Sequence, residues 1–380
     1  MHFPSKLPDV GTTIFTVMTR LASQHNAINL SQGFPDFDCD PELVELVCKY
    51  MRDGHNQYAP MQGIPVLRER IAEKTQELYG ATFDHDTEIT ISSGATEALF
   101  AAITAAVQPG DEVLIFEPAY DSYEPAVKIN GGIPIYIKLK FPAYHIDWDE
   151  VARAITPRIK LVILNTPHNP TGAVLGRADF AELAKLLDGT NIYIISDEVY
   201  EHIIFDDLEH ESVARHPELI ARSFIISSFG KTYHTTGWKV GYCLAPASLT
   251  EEFRKVHQFL TFASNTPVQL AYAEYLLQKN KYRELPKFYQ KKRDTFIRLL
   301  ENSRFRIIPC RGTYFQMLDY SVISNEPDMV FAEQLTAQHG VAAIPPSVFH
   351  HDQREDRVLR FCFAKKDETL ERAAEKLCAI

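Results

Sequence analysis

The sequence predicts an α/β fold built on a parallel or mostly parallel sheet. Apolar runs ending near Ser92, Phe116, Asn165, Ser196 and Ser227 read as strands, and stretches with helical spacing, such as 180–187, lie between them. Strands alternating with helices are the pattern of a sheet whose crossovers are helical. At 380 residues the chain exceeds what one ordinary core fills, so two lobes are expected.

Taken in order, the strand ends carry the chemistry. The alternating strand 87–92 runs into Ser93-Gly94-Ala95-Thr96 and then a helix through Val107, so the free amides of Gly94, Ala95 and Thr96 would point at an anion. Ser93 or Thr96 serves equally well there as an ordinary helix cap. The apolar run 161–164 is broken by Pro167, Pro170 and Gly172 into a rigid turn that presents Asn169, or is simply an Asn-Pro turn. The run 191–196 delivers Asp197 at its carboxyl end, where an acid faces the ligand crevice of a parallel sheet or caps a following helix.

The strand around 224–226 leads among small residues to Lys231, with Lys239 eight positions on. A lysine so placed is either an ordinary surface cation or a desolvated amine whose pKa falls toward nucleophilic use. The segment 237–245 reads as a further strand. After Pro286 the charged run 291–294 enters a helix as a solvated face, and a smaller lobe extends to Ile380. An anion turn, an asparagine turn, an aspartate and a lysine, each after its own strand, suit a buried aldehyde that also carries a phosphate. A carboxylate beside the ring nitrogen is what pyridoxal phosphate chemistry requires, and Asp197 supplies it.

With these residues in place the chain resembles the fold-type I pyridoxal-phosphate enzymes, class I aminotransferases in particular, from about residue 29 to 365. Ser31-Gln32-Gly33-Phe34-Pro35-Asp36-Phe37, Glu117-Pro118-Ala119-Tyr120-Asp121-Ser122-Tyr123 and Gly237-Trp238-Lys239-Val240-Gly241-Tyr242 look most like the kynurenine, glutamine and methionine aminotransferase branch. The resemblance implies a large domain with a mostly parallel seven-stranded sheet between helices, plus a smaller α+β domain. The expected divisions are an arm and part of the small domain at 1–45, the cofactor domain at 46–285 and the rest of the small domain at 286–380.

The same resemblance implies residue roles. Lys231 would be the Schiff-base lysine and proton shuttle, Asp197 the partner of the pyridine nitrogen, and Tyr200 and Asn169 the partners of the phenolate oxygen. Tyr120 would stack on the ring. The amides of Ala95 and Thr96, with Ser228 and Lys239, would hold the phosphate, and Tyr58 would reach it from the neighbouring subunit of a homodimer. Arg360 would clamp the substrate α-carboxylate, aided by Asn169 and by Gly33, whose backbone closes over it; a planar fork suits two parallel charge-assisted bonds. Many members have arginine where this chain has Lys239, a point charge instead of a fork.

The implied reaction moves the amino group of a large uncharged L-amino acid to a 2-oxo acid, with methionine first and aromatic residues, histidine, glutamine and kynurenine behind it. Phe15, Tyr120, Tyr123 and Phe262 offer aromatic walls or ordinary packing. A cysteine-S-conjugate β-lyase would use the same groups, and a noncatalytic pyridoxal-phosphate-binding regulator the same fold. The formal charge of −11, from 39 basic and 50 acidic residues, opposes broad nucleic-acid or anionic-membrane binding. Six cysteines without metal-binding spacing read as reduced thiols and no metal is expected. No long apolar run is present, so a cytoplasmic location is expected.

Overall fold

The computed structural model describes residues 4–380. One short strand, β1 (Ile28–Asn29), precedes seven that form a single sheet: β2 (Ile89–Ser92), β3 (Glu112–Glu117), β4 (Ile133–Lys138), β5 (Ile159–Asn165), β6 (Tyr193–Asp197), β7 (Ser223–Ser228) and β8 (Gly241–Leu244). Their order in space is β2-β8-β7-β6-β5-β3-β4. All neighbours are parallel except β8, which runs antiparallel to both β2 and β7. The five strands read from the sequence are therefore present in a mostly parallel sheet of seven. β4 escaped the reading because it is a half-exposed edge strand, whereas β3, for example, is buried throughout.

The segment 237–245 is only partly the predicted strand. Thr236–Trp238 forms a single 3-10 turn, Lys239 has a left-handed φ of 54°, and β8 begins at Gly241. Lys239 lines one cavity with Asn165, Asp197 and Ser228, the residues at the carboxyl ends of β5, β6 and β7.

After Ser303 the chain builds a second unit. β9 (Arg306–Ile307) and β10 (Phe315–Asp319) pair antiparallel, β11 (Val341–Ala342) pairs parallel with β1, and β12 (Val358–Cys362) pairs antiparallel with β10. Met18 and Leu30 from near the amino terminus pack in one core with Leu335, Phe361 and Leu370. The two ends of the chain thus share an interior, and Arg360 on β12 is carried to the sheet crevice. Helix Leu285–Leu299 covers this core, and the run 291–294 is only partly the solvated face expected of it: Lys291 and Asp294 are exposed, Lys292 is intermediate and Arg293 departs from it. Arg293 is buried, with a two-pronged pairing to Asp206 at 2.8 and 2.6 Å and a bond to Cys310 O at 2.9 Å. Among the described residues no helix is long and apolar enough to cross a membrane.

Candidate active site

A cavity of about 280 Å³ opens where β5, β6 and β7 end and helix Gly94–Ala106 begins, the place at which a parallel sheet ordinarily receives its ligand. At one end it is built for an anion. Gly94 turns with φ of +78° into the helix, Ser93 makes no side-chain cap, and the first amides are left without intrahelical partners. Neither Ser93 nor Thr96 takes up the capping alternative. Ala95, Thr96, Ser228 and Lys239 line this end. A Cβ on Gly94 would come within 3.3 Å of Lys239 Nζ, and one on Gly241 within 2.9 Å of Ala95 N and 2.8 Å of Ser227 O. The backbones of two segments are thus pressed together around the pocket, at a distance only glycine allows.

At the centre Lys231 leaves β7 through the one-turn helix Phe229–Thr232. Its Nζ donates to Gly33 O at 3.1 Å and to Tyr314 Oη at 2.9 Å, and Tyr314 in turn donates to Gly33 O. Burial pulls the amine down to about 8, with Arg360 and Lys239 pushing the same way against Cys362 and Asp197. Asp197 lines the same cavity from the end of β6, and burial raises its carboxyl to about 6 despite a 2.6 Å bond donated by Tyr123 Oη. Its Oδ1 accepts from Val199 N, closing a turn, and no helix begins there. Burial also pushes the Tyr200 and Tyr120 phenols up, so both stay protonated near neutrality.

Asn165 fastens the two neighbouring strand ends together. Its amide donates to Asp197 O at 2.9 Å, and its Oδ1 accepts from Asn169 N at 2.8 Å. Asn169 then meets Arg360: Nη1 of the guanidinium donates to Asn169 Oδ1 at 2.8 Å and Nη2 to Ser31 O at 3.0 Å. Since a guanidinium can only donate, the Asn169 oxygen is committed and its NH₂ is left to donate. The Arg360 guanidinium lies 3.9 Å from the Phe315 ring centroid, and its buried Nε has no partner among the described residues. Burial lowers the guanidinium to about 10, so it remains a cation. A buried cation with an unused donor is a receptor for a carboxylate. Gly33 lies against Phe315, where a Cβ would come within 2.9 Å of the ring.

The cavity therefore gathers Gly33, Ala95, Thr96, Tyr120, Asn169 and Asp197, and with them Tyr200, Ser228, Lys231, Lys239 and Arg360. Tyr58 is not among them: it is 84% exposed, its ring 5.5 Å from that of Phe262. Phe15 is on the wall, Phe262 is not, and Tyr123 sits behind Asp197 as its hydrogen-bond donor. Sequence reasoning missed Tyr314, Phe315 and Asn165. Asn165 had a signal, since it ends an apolar strand as Asp197 does; Tyr314 and Phe315 had none.

These residues fit a phosphate-bearing aldehyde with a ring nitrogen. The cradle of amides, hydroxyl and ammonium matches the phosphate, a half-buried amine matches the aldehyde, and a buried carboxylate matches the nitrogen. The family described as aminotransferase class I and II matches residues 25–377. The methionine aminotransferase of Escherichia coli is 55% identical over 98% of this chain and 97% of that protein. The kynurenine–oxoglutarate transaminase of Dictyostelium discoideum is 35% identical over 98% of this chain and 95% of its own length. The solved structure of an Escherichia coli protein identified as having a methionine aminotransferase function superposes with a TM-score of 0.98, at 54% identity, over the whole of both chains.

Proposed function

Because the chain belongs to the class I and II aminotransferases, we propose that it moves the amino group of a large uncharged L-amino acid, methionine foremost, to a 2-oxo acid. It is a transaminase. The observation that carries the reading is a half-buried amine, a buried carboxylate and a buried guanidinium on the walls of one cavity: Lys231, Asp197 and Arg360.

In this reading Lys239, Ser228 and the amides of Ala95 and Thr96 hold the cofactor phosphate, Tyr120 covers the ring, and Tyr200 and Asn169 donate to its phenolate oxygen. Bound there, pyridoxal 5′-phosphate supplies a protonated ring that accepts the electron pair left when the substrate loses its α-proton. Asp197 keeps the ring nitrogen protonated, because a carboxylate already starved of solvent gains most from a cation beside it. Arg360 and the Asn169 amide hold the α-carboxylate, which fixes the α-carbon in front of Lys231. Lys231 Nζ takes the α-proton. With the amine lowered to about 8, roughly one in ten is neutral at pH 7, a usable base population. Gly33 O and the Tyr314 hydroxyl keep that nitrogen from swinging away.

The side-chain preference follows from what is left over. Among the described residues Lys231, Lys239 and Arg360 are the cations of the cavity and each has a task, so none of these is left for a second substrate carboxylate. Phe15, Phe34, Val199 and Phe315 supply apolar wall instead. The relative from Escherichia coli, a methionine aminotransferase at 55% identity, places methionine first among such donors. The similar proteins described above are all named for amino transfer.

The functional unit in this proposal is a homodimer whose sites are shared, with Tyr58 of one copy reaching the phosphate end of the other. Tyr58 at 84% and Phe259 at 83% exposure are large aromatics with much to gain from such a contact. Six unpaired cysteines suit the cytoplasm. Purified protein given L-methionine and individual 2-oxo acids should form the matching amino acids, and aspartate should be a far poorer donor. Ammonia and pyruvate from sulfur conjugates, without transfer to any 2-oxo acid, would overturn the reading.

A further inference from the structure

At the carboxyl end of β3, Glu117 is only 1% exposed. Its Oε1 accepts from the backbone N–H of His351 at 2.6 Å, and its Oε2 lies 2.8 Å from His351 Nδ1. His350, 7% exposed, turns Nδ1 toward the same carboxylate but stops 3.8 Å from Oε2, and that buried nitrogen has no hydrogen-bond partner among the described residues. Asp352 completes the group: one donor atom each from Glu117, His350 and Asp352 lies within 4.8 Å of the other two. A gap of 3.8 Å is too long for a hydrogen bond. It is close to the spacing of roughly 3.4 Å between two ligands bound at about 2.1 Å to one tetrahedral ion.

We propose that Glu117, His350 and Asp352 bind a first-row divalent cation, Zn²⁺ being the type, across the junction of the two lobes. One imidazole and two carboxylates neutralise a dication and leave a coordination position for water. The bonds from His351 to Glu117 orient the ligating carboxylate, and His351 is itself stacked on Tyr136 with centroids 4.0 Å apart. Lys138, half-buried, pairs with the exposed Asp352 and has to release that carboxylate to the ion. Glu117, His350 and His351 line an open groove that also reaches Tyr120 and Asp121, so an ion has a path in. Ala119 N already donates to Phe349 O at 2.9 Å. The ion therefore pins the segment 346–352 to the strand end that carries Tyr120.

Holoenzyme stripped of metal and titrated with Zn²⁺ against a chromophoric chelator is expected to bind about one equivalent per chain. Glu117→Gln and, at the exposed position, Asp352→Asn should each weaken that binding at least about tenfold. Mg²⁺, which favours oxygen donors, should not compete. Co²⁺ in the site should give weak visible bands without thiolate charge-transfer absorption, which separates it from the cysteines. The proposal fails if wild-type protein binds no Zn²⁺, if both variants bind as tightly as wild type, or if thiolate bands account for the bound cobalt.

Discussion

At Lys231 burial decides the charge of the group and, through it, a measurable part of the stability. The amine falls from 10.5 to about 8 in the folded chain. Between those values the unfolded chain binds more protons than the folded one, so raising the pH favours folding. Apoprotein should gain on the order of 3 kcal/mol from this group as pH rises from 8 toward 10.5. Denaturant unfolding of wild type and Lys231→Met across that window should show the gain in wild type only. At Arg360 the expected loss is kinetic. Arg360→Lys removes the fork that binds Asn169 and Ser31, and should raise KM for the amino acid roughly 10- to 100-fold while the cofactor dissociation constant stays unchanged. Equal losses in both constants would place Arg360 outside the carboxylate site.

Lys231, Asp197 and Asn169 could be picked out in the sequence because each follows an apolar strand in a recurring order, whereas Arg360 came only from the family resemblance. Their supports could not. Tyr314 reaches Gly33 from 281 residues away and Tyr123 reaches Asp197 from 74, and neither distance leaves a local pattern.

At the scale of elements the pocket depends on how closely β8 and helix Gly94–Ala106 approach. Gly241→Ala places a methyl against backbone atoms of Ser227, Gly94 and Ala95 at 2.8–2.9 Å, none of which is a flexible side-chain end. The helix start has to move, at a cost of about 1–3 kcal/mol. We expect the variant to stay folded but to release its cofactor more readily, measured as a raised dissociation constant by absorbance titration. Retention equal to wild type would show that the helix start can shift without opening the anion cradle. Gly241 and Lys239 were both visible in the sequence, yet the reason for Gly241 lies in backbone of Ser227, Gly94 and Ala95 that no local pattern reveals. Arg293 illustrates the converse: its charged run looked solvated because the partner, Asp206, lies 87 residues away on another segment.

At the scale of the molecule, two lobes were legible from length, and the contribution of both chain ends to the smaller one was expected from the family resemblance. What composition cannot show is adjacency across lobes, which is why Glu117 and the 350–352 segment looked unrelated at 234 residues' separation. The same limit applies between chains. Tyr58 lies outside its own cavity, and a shared site makes a prediction that a self-contained one does not. Lys231→Ala and Tyr58→Ala should each be weakly active alone, the second through poorer cofactor retention. Mixed after dissociation and reassembly, they form heterodimers in which one site carries both defects and the other carries neither. Random pairing then restores about a quarter of the sites to wild type. Recovery to that level, measured as methionine-dependent transfer, supports Tyr58 acting across the interface. If mixing restores nothing while heterodimers are seen by mass, Tyr58 acts within its own chain or not at all.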